Sequence, residues 1–167
     1  QSEAESVKSG ALSGMVILET NFGPIKIKVD DSAAPKTAAN FKKLVTEKFY
    51  DGLIFHRVVP GFVIQGGDPS GDGTGGPGYT VSAEIKLNHK RGCVAMARLG
   101  DAVNPGRESS GSQFYICLSD LPALDGGYTV FGEVAVGMEI VDLIAKVQTD
   151  QNDKPVEAVI IKKAYIE

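Results

Sequence analysis

From Met15 onward the chain runs in short apolar–polar alternations, broken repeatedly by glycine, proline and small polar residues. Residues 15–20, a turn at Asn21-Phe22-Gly23-Pro24 and residues 25–29 predict a β-hairpin, because Ile25, Ile27 and Val29 alternate with lysines as in a half-buried strand. Asp30-Asp31-Ser32 then offers N-cap oxygens, and Pro35 suits a first helical turn. Ala38, Phe41, Leu44 and Val45 recur at helical spacing, which predicts an amphipathic helix to about Lys48. Residues 92–97, 112–117, 129–134 and 156–166 read as strands, and Gly137-Met138-Glu139 opens a second helix carrying Ile140, Val141, Leu143 and Ile144. Roughly eight strands, two separated helices and no internal repeat predict a mainly β fold, an antiparallel barrel rather than a parallel α/β sheet. Residues 1–14 are polar and read as a flexible leader, with residues 15–167 as one domain.

The most informative stretch is residues 55–68, which reads as two short strands folded about Pro60-Gly61, a tight-turn dipeptide. With side chains alternating, Phe55 and Arg57 are expected on one face of the first strand, and Val63 and Gln65 on one face of the second. A guanidinium, an amide and the ring of Phe62 then lie together, a combination that suits an apolar ring with an amide beside it. Gln113, Phe114, Tyr115 and Leu124 add apolar bodies and amide groups near other strand ends. His56 is expected on the opposite face, as a satisfied core histidine rather than a catalytic base.

Composition narrows the function. A hydrophobic share of 43%, a charged share of 23% and 167 residues are those of an ordinary single globular domain. A net charge of -4 argues against a nucleic-acid surface. No apolar run approaches the roughly 18 residues of a membrane-spanning helix. The glycine-rich residues 66–78 lack the Gly-Lys of a phosphate loop and do not pass from a strand straight into a helix, so they read as a shaped structural loop. Asp68 to Gly73 imitates the start of a calcium loop, but Tyr79 stands where a bidentate Glu is needed. No Ser-His-Asp order, Gly-x-Ser-x-Gly elbow or zinc-type cluster is present. Cys93 and Cys117 sit in apolar runs without a CxxC context and read as buried thiols, with a cross-strand disulfide left open.

These residues carry a resemblance to the cyclophilin family of peptidyl-prolyl cis-trans isomerases. Residues 55–68 resemble its signature hairpin and Pro35-Lys36-Thr37-Ala38-Ala39-Asn40-Phe41 its first helix. Gly73-Thr74-Gly75-Gly76, Met96-Ala97, Gly111-Ser112-Gln113-Phe114, Leu124-Asp125-Gly126 and Val130-Phe131-Gly132 resemble later motifs in the correct order. The short first hairpin and Met96-Ala97-Arg98 look more like prokaryotic members or the single-domain group close to them. The resemblance implies a closed eight-stranded antiparallel β-barrel capped by two α-helices, with an outer groove and no cofactor or metal. It implies catalytic roles for Arg57, Phe62 and Gln65, and substrate contacts from Val63, Ala97, Arg98, Gln113, Tyr115, Leu124 and Tyr128. The implied partners are proline-containing peptides and unfolded proteins, with no nucleic acid and no membrane. Ala123 stands where the best-known members carry Trp, which implies weak cyclosporin binding. Tyr115 replaces a common Phe and brings a hydroxyl that needs a partner, and the loop over residues 98–110 is longer than in short-loop members. A proline-peptide binding module or a scaffold are the competing readings; Arg57 beside Phe62 and Gln65 favours the enzyme. A monomer is the default for a closed barrel. The compartment is expected to be cytoplasmic, or periplasmic or secreted if residues 1–14 follow a removed signal peptide.

Overall fold

Eight antiparallel strands share one curled sheet in the computed structural model, which describes residues 15–167. The leader expected over residues 1–14 lies outside the described residues. In chain order the elements are β1 (Val16–Thr20), β2 (Gly23–Val29), α1 (Pro35–Thr46), β3 (Arg57–Val59), β4 (Val63–Gly66), β5 (Thr80–Val81), β6 (Cys93–Met96), β7 (Ser109–Ser110), β8 (Phe114–Cys117), β9 (Val130–Val136), α2 (Met138–Ile144) and β10 (Ile161–Ile166), with a single 3-10 turn at Pro122–Leu124. The sheet order is β10-β1-β2-β9-β6-β8-β4-β3, while β5 and β7 form a separate two-residue ribbon. The first hairpin and both helices lie where the periodicity places them. The last strand is shorter than expected, because residues 156–160 lie ahead of β10.

The barrel does not close as a continuous ladder, contrary to expectation. Its end strands β10 and β3 are not paired with each other. A single Ile54–Ile160 bridge spans the gap, helped by hydrogen bonds from Gly52 N to Ile161 O (2.7 Å) and Phe55 N to Val159 O (2.9 Å). The physical reason is local: β3 begins only at Arg57, so the segment beside β10 meets it without a regular register. Register shifts at Glu19/Thr20, Lys26/Ile27 and Val94/Ala95 bend the remaining strands into the curl.

The inner face of the sheet is apolar except at the end of β1, where Thr20 is buried. Ile25, Ile27, Ile64, Val94, Ile116 and Phe131 are fully buried, and α1 packs on β10 and β9 to deliver Phe41 among them. Phe41 lies 4.9 Å from Phe131, 5.3 Å from Tyr50 and 5.6 Å from Phe114, centroid to centroid. Two residues expected near the groove belong here instead. Phe55 precedes β3 and buries against Phe114, and Phe114 itself points inward, because its neighbour Tyr115 takes the outer face.

The cap of α1 also differs from expectation. Asp30 Oδ1 accepts the amides of Ser32 and Ala33 and so shapes the approach, but it does not cap the helix. Glu84, far along the chain, accepts the amides of Lys36 (3.1 Å) and Thr37 (2.7 Å) and the Thr37 hydroxyl (2.8 Å). Pro35 takes the first helical position, where its missing N–H costs nothing.

Candidate active site

The groove is built on the β3–β4 hairpin. Pro60-Gly61 makes the predicted turn: Phe62 N donates to Val59 O at 3.0 Å, and Gly61 takes φ 75°, a conformation that favours glycine. That turn sets the register Arg57↔Gln65 and Val59↔Val63. Gln65 in turn faces Tyr115 on β8, and Tyr115 faces Ala95 on β6. One row of outward side chains, Arg57, Gln65, Tyr115 and Ala95, therefore crosses four strands. Val63, Ala95, Tyr115, Cys117 and Val130 form a second buried apolar cluster outside the barrel core, with Phe62, Leu124 and Tyr128 packed on it.

Above this cluster opens a groove of about 700 Å³. Nine of the ten candidate site residues line it: Arg57, Phe62, Val63, Gln65, Ala97, Arg98, Tyr115, Leu124 and Tyr128. Gln113 lines an adjoining basin of about 520 Å³ that shares Gln65, Gly73, Ala97 and Arg98 with the groove. The Arg57 guanidinium sits 5.9 Å from the Phe62 ring centroid, and its Nη1 donates to Gln65 Oε1 at a long 3.4 Å. Arg57 is thus set beside Gln65 and lines the groove. Gln65 Nε2 donates to Gln113 Oε1 (3.1 Å), and Gln113 Nε2 donates to the carbonyls of Gly73 (3.0 Å) and Gly75 (2.8 Å).

Three further groove residues carry no sequence signal. Asp150, Asn152 and Lys154 arrive on the polar turn before β10, which Val58 N ties to the hairpin through Asp153 O at 2.8 Å. His56 also lines the groove instead of pointing away from Arg57, because the regular alternation starts one residue after it. It is buried as expected, but its Nδ1 has no partner among the described residues, so it is not the satisfied histidine anticipated. Burial pushes its pKa below the ordinary imidazole value, and Asp68 partly offsets this, so the ring is held neutral.

The family described as cyclophilin type peptidyl-prolyl cis-trans isomerase matches residues 15–166. The chain belongs to the cyclophilin family. It is 45% identical over 139 residues to a peptidyl-prolyl cis-trans isomerase of Helicobacter pylori, covering 80% of this chain and 82% of the relative. It is 48% identical over 130 residues to peptidyl-prolyl cis-trans isomerase B of Bacillus subtilis, covering 76% and 86%. A crystal structure of a Cryptosporidium parvum cyclophilin superposes with a TM-score of 0.86 at 36% identity, covering 92% of this chain and 97% of that one. A second structure of that protein, in the presence of the dipeptide Ala-Pro, gives 0.85. This cyclophilin is accordingly a peptidyl-prolyl cis-trans isomerase.

Within the cyclophilin frame its own residues find specific partners. The Tyr115 hydroxyl, buried, meets His89 Nε2 at 2.8 Å, and His89 Nδ1 meets Asp125 Oδ1 at 3.0 Å. A carboxylate can only accept, so His89 carries its proton on Nδ1 and accepts the Tyr115 O–H at Nε2. Burial raises the Tyr115 pKa far above the ordinary phenol value, which keeps it a donor. Arg98 is committed as well. Its guanidinium lies 4.5 Å over the Tyr128 ring, and its Nε donates to Gly127 O at 2.6 Å. The loop over residues 98–110 is braced, with Asp101 between Arg98 and Arg107 and the Arg107 Nη1 on Gly126 O at 2.7 Å. Ala123 is exposed on the 3-10 turn. Cys93 and Cys117 are free thiols, and burial pushes Cys117 up to about 12.

Proposed function

We propose that this cyclophilin accelerates rotation about X-Pro bonds of folding proteins and proline-containing peptides, with Arg57 stabilising the twisted amide. The observation that carries the reading is the row Arg57–Gln65–Tyr115, which sets a cation and an amide against an apolar floor. Rotation of an X-Pro bond must break amide resonance, a barrier of about 18–20 kcal/mol, so uncatalysed exchange takes roughly tens to hundreds of seconds. As the bond twists, lone-pair density collects on the proline nitrogen. Arg57 donates to it there and favours the twisted state over either planar one, which is the condition for catalysis. Phe62, Val63, Tyr115 and Leu124 hold the proline ring. Gln65 and Gln113 fix the flanking amides, with Ala97, Arg98 and Tyr128 completing the wall. The Ala-Pro present with the Cryptosporidium relative supports this substrate class. Ala123 in place of Trp weakens cyclosporin binding. The hydrogen bonds that tie residues 52–55 to residues 159–161 occupy part of the sheet edge at the gap, which supports a monomer.

The deciding experiment measures cis-to-trans conversion of a short X-Pro peptide by wild type and Arg57→Ala. The expected result is strong acceleration by wild type, a loss of about 100-fold or more in the variant, and peptide affinity largely kept. Equal acceleration by both proteins overturns the role of Arg57.

A further inference from the structure

The glycine-rich loop that follows β4 is folded around one carboxylate. Asp68 is 1% exposed. Its Oδ1 accepts the amide of Ser70 (2.8 Å), and its Oδ2 accepts those of Asp72 (3.1 Å) and Gly73 (2.5 Å). The amide of Gly75 also turns toward it. A side chain at Gly75 would run into the Asp68 carboxylate and the Ser70 hydroxyl, so the cradle closes only over glycine. Asp68 is thus the centre on which residues 70–75 are wound, and the carboxylate that opens the imitation of a calcium loop is taken up by main-chain amides.

The outward side of the same loop presents the Gly73 and Gly75 carbonyls to Gln113 Nε2. Two carbonyls accept only, so they dictate which end of the Gln113 amide points at them. Gln113 Oε1 must then face Gln65 Nε2, and Gln65 Oε1 must face Arg57. Reversing either amide would set N–H against N–H, or N–H against the guanidinium. The chain of bonds therefore has one polarity, set at the loop end.

We infer that Asp68 is a positioning residue for isomerisation: by winding residues 70–75 it aims the Gly73 and Gly75 carbonyls that orient Gln113, Gln65 and, through them, Arg57. This rests on the catalytic reading of Arg57. Asp68 itself touches no substrate, since its carboxylate lies beneath the loop.

The test compares Asp68→Asn with Glu84→Gln, which removes a similarly bonded carboxylate from the cap of α1, away from the groove. Both are assayed below their melting temperatures, with kcat and KM separated and the side-chain amides of Gln65 and Gln113 followed by 15N relaxation. In Asp68→Asn, kcat falls about tenfold with a smaller rise in KM, and the side-chain amides of Gln113 and Gln65 lose order relative to wild type. Glu84→Gln lowers the melting temperature and leaves kcat and amide order alone. Retained amide order, or retained kcat in a folded Asp68→Asn protein, overturns the inference. If Asp68→Asn does not fold, Gly75→Ala gives the same readouts without a change of charge. Failure of the catalytic reading is seen separately: Arg57→Ala then keeps full activity, while the amide order still reports whether Asp68 orients the two glutamines.

Discussion

The two faces of β4, β6 and β8 belong to the same residues of chain yet are held by different forces. Inward, Ile64, Val94, Met96, Phe114 and Ile116 are within 1% of complete burial and meet only apolar neighbours and ring edges. Outward, Gln65, Ala95 and Tyr115 carry a thinner apolar layer under directional hydrogen bonds. The inner face gains from volume filled and area removed from water, so its stabilisation is large and indifferent to orientation. The outer face gains less, but each bond there fixes which atom points into the groove. Stability and chemistry are thus carried on opposite sides of one pleated layer, one residue apart.

The comparison is broken most strongly from the inside. Phe41→Ala, which opens a void between Phe114, Phe131 and Tyr50, is expected to cost about 3–5 kcal/mol of unfolding free energy. Denaturant titration measures the loss, and the activity of each molecule still folded should hold. Arg57→Ala is the converse, with a rate loss of about 100-fold or more and a stability change within about 0.5 kcal/mol. A large stability loss in that variant would mean that the two faces are not separate.

Tyr115→Phe sharpens the boundary between the two. It keeps the ring on the groove floor but leaves His89 Nε2 without its donor, for an expected cost of about 1–3 kcal/mol with little change in kcat. A thermal melt beside a progress curve separates these effects. The smallest effect comes from acid. Burial alone would raise the Asp68 and Glu84 carboxyls, but the main-chain amides bonded to them outweigh it and hold both below their ordinary values. A lowered folded-state pKa contributes stability above the unfolded value and loses it as pH falls through the folded one. Urea midpoints should therefore begin to fall below about pH 6.5, where the unfolded chain protonates His56 and the buried ring does not, and fall again below about pH 4 as these carboxyls titrate. Asp68→Asn and Glu84→Gln should each flatten part of that second decline.

What could be read from the chain alone is local. The β1–β2 hairpin, α1 with its Phe41 stripe, and the Pro60-Gly61 turn that pairs Arg57 with Gln65 each rest on neighbours a few residues apart. Period-2 and period-3.6 patterns, and the backbone demands of Pro and Gly, report such neighbours directly. The ordered motifs likewise pointed to the cyclophilin family, which the match over residues 15–166 bears out. The tertiary structure decided the rest. Glu84 caps α1 from 47 residues away, His89 meets Tyr115 across 26, and Gln113 reaches Gln65 across 48. Asp150 to Lys154 enters the groove from near the other end of the chain. Phe55, Phe114 and His56 were misplaced because their facing depends on where a strand begins and which neighbour turns outward. The expected closure of the barrel failed for the same reason. A hydrogen bond between distant residues leaves no period in the sequence, and only the packed sheet determines which distant residues become partners.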